Sequence, residues 1–465
     1  MTGPSAAIYN HFENVTDPRV NRGANHSLLE MMFVALTATI CGANGWADVE
    51  RFANSKLNWF RRFIDLEHGV PSHDTFGRVF SRLDTSEFLT AMHSWVDSFA
   101  ENLRGQGVAI DGKTLRGSFD RAAGTTALHT ITAFATKTRT VLRQMSVEEK
   151  SNEIPAVPKL LDLIELAGAV VTLDAMHCQT ETAQAIVDRE ATYILTVKGN
   201  QPTLFAALLD RFDEYANVDF RVEGLRKHVT VERSHGRNER REYYVKAIDS
   251  GDTLFARWSQ AKSFGMVYRV REAGGEVQQE TMFFITNHAP KVKALSRHLR
   301  SHWSIENSQH WILDVTFAED ASRIRKDSGP EIAGAFRRMA LTILQRDTTI
   351  KENIRGKRLR AGWDESVLDD IYAGLTCDCP ASRKLRFLQY RMDCLLSHRS
   401  KQSFEYVGTQ AAAPYQQFTT SGCRWHTRFP AAAPVSVRQP VDKCGPRRLR
   451  AMPLFRRRVC CGRRC

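Results

Sequence analysis

Two aspartates, Asp111 and Asp174, each follow a short apolar run that reads as a buried strand: Val108-Ala109-Ile110 before the first, Ala169 to Leu173 before the second. Open α/β sheets place their ligands just past such strand ends. Either residue alone reads as a turn residue or a helix cap. As neighbours on one sheet, two carboxylates call for a cation, because like charges held close are unfavourable without one. Mg2+ suits that role, preferring oxygen ligands from one or two carboxylates plus water and phosphate. A third carboxylate from a helix would complete a two-metal site, which activates a water or hydroxyl and stabilises the leaving oxygen in phosphoryl transfer. The segment His302 to Asp314 offers one. Steps of four align His302, Glu306, His310 and Asp314 on one side of a helix, among Trp303, Trp311, Ile312 and Val315. From spacing alone the stripe also reads as a solvated face beside an aromatic core face. A zinc site of His302, Glu306 and His310 is a further reading, without the His-Glu-x-x-His order of zinc proteases.

Basic residues cluster near these positions. Lys113 and Arg116 follow the first aspartate, and Lys198-Gly199-Asn200-Gln201 lies past a third strand end. Arg237, Arg240 and Arg241 sit in a polar loop that opens a strand, so they read as phosphate contacts or as a solvated hairpin tip. His177 follows Asp174 closely and reads as a support behind the site or a helix-start residue. No Gly-x4-Gly-Lys-Ser/Thr loop occurs, so ATP-driven work is not supported.

The elements that must position these groups follow from periodicity. Residues 1–100 read as helical: Ser27 heads a helix ending near Gly42, Ala47 to Phe63 forms a second, Pro71-Ser72-His73-Asp74 is a turn and cap, and Thr85 to Asn102 is a fourth helix. From Gly105 the order becomes β-β-β-α-β-α-β, the mark of a mixed α/β layer. Between about 220 and 287 the pattern is β-branched or alternating, with Gly274-Gly275 as a hairpin turn. After Pro290 the chain is helical to about Gln345.

Composition bounds the rest. The chain has 465 residues, 42% apolar and 25% charged, ordinary for a soluble globular protein. Its longest uncharged apolar stretch, Met31 to Ala47, contains Thr37, Thr39, Gly42, Asn44 and Gly45, too short and polar for a membrane span. The N-terminus shows no secretory pattern, so a cytoplasmic protein is expected. The net charge of +13 is local: residues 375–465 hold 18 basic and 4 acidic side chains, leaving 1–374 with 47 and 48. Eight of the ten cysteines lie in that last segment, at spacings that do not suit zinc, and without a secretory pattern a disulfide framework is not expected either. It reads as foreign sequence, with a basic DNA-binding arm and a metal module as alternatives.

The longer motifs carry a resemblance. Ala109-Ile110-Asp111-Gly112-Lys113, Thr172-Leu173-Asp174-Ala175-Met176-His177, Tyr193 through Gln201, Glu232-Arg233-Ser234-His235-Gly236-Arg237 and the run from His302 to Glu319 resemble bacterial insertion-sequence transposases of the DDE type, of the H-repeat-associated kind. Gly45-Trp46, Trp59-Phe60-Arg61-Arg62-Phe63 and Pro71 to Arg78 resemble the helical domain that precedes their catalytic domain. The match covers roughly residues 10–370. The resemblance implies an α/β fold with an RNase H-like mixed sheet, an all-α N-terminal domain at 1–104, a catalytic domain at 105–347 with a β-rich insertion at about 220–287, and a helical extension at 348–374; it ends there, and the irregular basic, Cys-rich tail at 375–465 is read from its composition alone.

It further implies Mg2+, with Mn2+ as a substitute, held by Asp111, Asp174 and Glu306 as the catalytic carboxylates. The substrates would be insertion-sequence end DNA and target DNA, with a homodimer on the DNA and no membrane; from charge and position rather than from the resemblance, Lys113, Arg116, Lys198, Arg237, Arg240 and Arg241 are the residues expected to line the DNA path. The broader group carries Tyr, Arg and Lys around the final Glu. Here those positions are Leu299, His302 and Leu313, so only the Glu carries over, with His302, Asn307 and His310 as stand-ins for phosphate contacts. Two alternatives to an active transposase remain: a metal-dependent nuclease without strand transfer, and a degenerate remnant that binds DNA only.

Overall fold

The computed structural model describes residues 6–19, 25–120, 124, 126–147, 153–234 and 236–375. The expectation for the basic tail therefore lies outside the described residues, apart from Leu375.

The chain opens with helices α1 (Ala6–Phe12), α2 (Leu28–Ile40), α3 (Trp46–Ser55), α4 (Leu57–Phe60), α5 (His73–Phe80) and α6 (Thr85–Asp97). Ser72 and Asp84 cap α5 and α6 by accepting bonds from backbone N–H groups two or three residues on. The helix expected from Ala47 to Phe63 is broken at Lys56. Asn54 Nδ2 donates to the Glu50 carbonyl and Ser55 Oγ to that of Phe52, so local side-chain bonds compete with the helical ladder there.

Nine strands then form one sheet: β1 (Gly107–Thr114), β2 (His129–Ala135), β3 (Thr140–Val147), β4 (Val170–Leu173), β5 (Thr192–Val197), β6 (Arg226–Ser234), β7 (Arg237–Ala247), β8 (Ser263–Ala273) and β9 (Glu276–Thr286). Their spatial order is β3-β2-β1-β4-β5-β9-β8-β7-β6. β1 runs antiparallel to β2 but parallel to β4, and β4 parallel to β5, the mixed arrangement of an RNase H-like sheet. The β-rich segment is no separate layer. β9 pairs antiparallel with β5, through Ile194↔Thr286 to Val197↔Phe283, and extends the same sheet by four strands. An alternating pattern marks a strand and its buried face but not the edge it joins.

Helices α7 (Glu153–Asp162) and α8 (Thr180–Val187) cover one face of the sheet, against Val108 and Ile110. α9 (Pro202–Asn217) follows β5, marked by Pro202 in its first turn and by Leu204, Leu208 and Phe212 at helical spacing. α10 (Val292–His302) and α11 (Trp311–Val315) cross the other face, where Ile305 packs on Ala109, Phe134 and Val141. The chain ends its described part with α12 (Gly329–Arg346), α13 (Ile354–Trp363) and α14 (Glu365–Ala373). These three do not stand apart. Ile332, Phe336, Leu368, Ile371 and Tyr372 share one apolar core with α1–α6, so both ends of the described chain build the helical half. Among the described residues no helix is long and apolar enough to cross a membrane.

Candidate active site

Strand alternation sends Ala109, Asp111 and Lys113 to the face crossed by α10 and α11, and Val108, Ile110 and Gly112 to the other. The parallel register Ile110↔Leu173 makes Asp111 and Asp174 the next residues on two adjacent strands. Above them α10 gives way to a single π-turn, Glu306–His310, before α11, and the Trp311 N–H reaches back five residues to the Glu306 carbonyl. Such turns interrupt helices preferentially at functional positions.

All four members of the predicted stripe point at the sheet. His302 Nδ1 lies 2.9 Å from Thr172 Oγ1, and its Nε2 3.7 Å from Asp174. His310 Nδ1 sits between two carboxylates, 3.5 Å from Asp111 and 3.6 Å from Glu306. Asp314 lies 2.7 Å from the Lys113 ammonium. Donor atoms of Asp111, Glu306 and His310 all lie within 4.8 Å of one another, a spacing that could hold a metal ion. His302 stands outside that group, so the zinc set of two histidines and Glu306 is not assembled among the described residues.

The electrostatics match a site built for a cation. Burial pushes the Asp111 carboxyl up to about 8, and the negative charges of Asp174 and Glu306 add to that rise. Asp174, more exposed, is held below its usual range chiefly by the bond to His302. Glu306 is lowered by His310. His310 is buried and its Nε2 has no hydrogen-bond partner among the described residues.

The basic residues divide. Arg116, Lys198, Arg237 and Arg240 are exposed, although Arg240 is also paired with Glu242 at 2.7 Å. Lys198 is close enough to help lower Asp174. Lys113 and Arg241 are not displayed. Lys113 is buried against Asp314, Asp320 and Glu319, and Arg241 is buried on Glu239 and Glu232. A guanidinium or ammonium already enclosed by carboxylates has no free face for a phosphate, so these two lie inside the protein. Asn307 turns its amide back to the Trp303 carbonyl.

Several supports were not legible from spacing. Glu153, at the start of α7, lies under the site, bonded to His129 and, at 3.2 Å, to His177. Burial opposes its charge, but the two histidines outweigh burial and hold it at about 2. Asn200 and Gln201 donate to the carbonyls of Ala175 and Cys178, so the loop after β5 braces the turn that carries Asp174. Glu232 forms a two-pronged pair with Arg300, at 2.9 and 3.0 Å, fastening β6 to α10.

Comparison with known proteins places the chain in a family. Residues 102–343 match the family model described as the transposase DDE domain, and residues 9–96 its associated N-terminal model. The chain belongs to the DDE transposase family. The "H repeat-associated putative transposase YhhI" of Escherichia coli K12 is 32% identical over 376 residues, covering 79% of this chain and 98% of the relative. "Putative transposase YncI" of Escherichia coli O157:H7 is 33% identical over 371 residues, covering 79% and 94%. A protein from the dhlA 3′ region of Xanthobacter autotrophicus is 38% identical over 283 residues, covering 60% and 93%. A solved piggyBac transposase synaptic complex with hairpin DNA aligns over 88% of this chain and 87% of its own, at 11% identity and a TM-score of 0.37.

Proposed function

We propose that this transposase cuts the ends of an insertion sequence and joins them to target DNA, with Asp111, Asp174 and Glu306 as the carboxylates that hold Mg2+, or Mn2+ in its place. The observation that carries the reading is the meeting of Asp111 and Glu306 beside Asp174, with a carboxyl at Asp111 whose proton a bound cation would displace. Bound there, paired divalent ions would supply an activated oxygen nucleophile and charge stabilisation for the leaving oxygen. His310 adds a nitrogen donor to the two carboxylates. His302 orients Asp174, and Ile305 seats the helix on the sheet.

Arg116, Lys198, Arg237 and Arg240 are the displayed cations of the DNA track. A body with near-zero net charge must rely on such local patches rather than on a long-range field. In this reading the protein works in the cytoplasm at the nucleoid, as a homodimer on two element ends. The proposed division is a helical domain at 1–104 and a catalytic domain at 105–347, with the helices of 348–374 packed back into the core of the helical domain.

The test is incubation of purified protein with labelled element-end DNA, target DNA and Mg2+. The reading expects nicked ends followed by joined products. Nicks without joining would reassign the chain as a nuclease, and binding without nicks as a remnant.

A further inference from the structure

We infer that Lys113 is a positioning residue, which holds Glu306 over Asp111 by clamping the following helix to β1, and that it is not a DNA contact. The inference rests on the reading of Asp111, Asp174 and Glu306 as the metal-holding carboxylates.

The geometry is a matched step. Asp111 and Lys113 lie on one face of β1, two residues or roughly 6.6 Å apart along the strand. His310 and Asp314 lie one turn apart on the helix, roughly 6 Å along its axis. His310 meets Asp111, and Asp314 meets Lys113 at 2.7 Å. Helix and strand are thus pinned at two successive places, and the second pin fixes how far the helix can slide past the first. Glu306 sits one turn before His310 and moves with it.

Lys113 is built for this and not for display. Its side chain is 7% exposed, and its ammonium lies 3.2 Å from Asp320 and 3.7 Å from Glu319 besides Asp314. Arg338 answers Glu319 at 2.8 Å, and the exposed Arg116 stands 3.6 Å from Asp320. Without the ammonium, three carboxylates would face one another with too little positive charge among them. Their repulsion would lift Asp314, and the helix with it, from β1. A displacement of about 1 Å at a reacting centre is enough to cost on the order of 100-fold in rate.

The test compares wild type with Lys113→Met and with the near-isosteric Asp314→Asn, after thermal unfolding has shown which variants fold. Asp314→Asn and Lys113→Arg carry the comparison if Lys113→Met does not fold. Mn2+ uptake by the DNA-free protein is read by electron paramagnetic resonance. DNA affinity is read by fluorescence anisotropy across a salt series in EDTA, and cleavage in Mg2+ and in Mn2+. The inference expects weaker Mn2+ uptake in both Lys113→Met and Asp314→Asn, by roughly tenfold or more, and cleavage in Mg2+ down about 100-fold. Mn2+ should restore part of that loss, since Mg2+ is the more demanding of near-ideal geometry. The salt slope of DNA binding should stay at the wild-type value. A slope reduced by about 0.9 in Lys113→Met, the signature of one lost phosphate contact, with tighter DNA binding in Asp314→Asn, would overturn the inference. So would Mn2+ uptake unchanged in both variants. If the wild type takes up no Mn2+ at all, the reading of the site fails and the inference falls with it.

Discussion

Asp111 is where the chemistry of the site is most exposed to test. Its carboxyl is raised to about 8 by burial first and by two neighbouring carboxylates second. A folded-state value above the unfolded one means that ionisation opposes folding, so the metal-free protein loses stability as pH rises from the unfolded value toward 8. Metal binding needs the ionised form, so the same group makes affinity rise with pH. Mn2+ affinity should climb close to tenfold per unit between pH 6 and 8 and flatten above, as calorimetry in two buffers would show. In EDTA at pH 8, Asp111→Asn should melt several degrees above wild type, because it removes a buried charge. A variant that melts lower would show that the carboxylate is already compensated. Both aspartates and the stripe of four could be found from residue type and spacing. The bridging place of His310 between Asp111 and Glu306 could not, because it depends on how a helix far along the chain lies over β1. The burial of Lys113 was hidden for the same reason: its carboxylates are more than 200 residues away.

At the scale of elements, strand ends and helix turn are held from both faces of the sheet. Beneath β1, Gly112 leaves room for Glu153. A β-carbon there would come within 2.6 Å of the Glu153 carboxylate. Gly112→Ala should therefore cost about 1–3 kcal/mol, as overpacking does, and should disturb Asp111 next door. Denaturant melts would measure the first effect. Adding Glu153→Ala should recover part of it, and a double variant no better than the sum of the two singles would argue against direct contact. The helices and strands of this region were legible from periodicity and turn residues, including the cap at Ser72. The joining of β9 to β5 was not, since nothing in an alternating segment names its partner. The break at Lys56 was missed because the apolar spacing runs across it, while the competing bonds come from Asn54 and Ser55.

For the molecule as a whole, the helical half depends on residues from both ends of the described chain. Tyr372 bonds Thr37 at 2.7 Å and packs at a tilt against Phe33 and Trp59, whose indole N–H donates to Asp369. Tyr372→Ala should destabilise the protein by about 3–5 kcal/mol, the usual range for truncating a large buried aromatic. A change under ~1 kcal/mol in a urea titration would show that α14 is an accessory. Removal of the residues after Leu375 is expected to leave the thermal unfolding of the rest unchanged, since the described residues up to Leu375 already enclose this core. It should weaken non-specific DNA binding at low salt, because the excess positive charge resides there.

In the proposed function, Asp111, Asp174 and Glu306 form one metal-holding centre that cuts DNA. Glu306→Gln tests it most directly, because Glu306 comes from an element remote in sequence and its side chain is half exposed, so the fold does not depend on it. Cleavage of labelled element ends in Mg2+ and binding of the same DNA should be measured side by side. Cleavage should fall to background, with binding within a few-fold of wild type. Cleavage by Glu306→Gln at the wild-type rate would contradict the proposal.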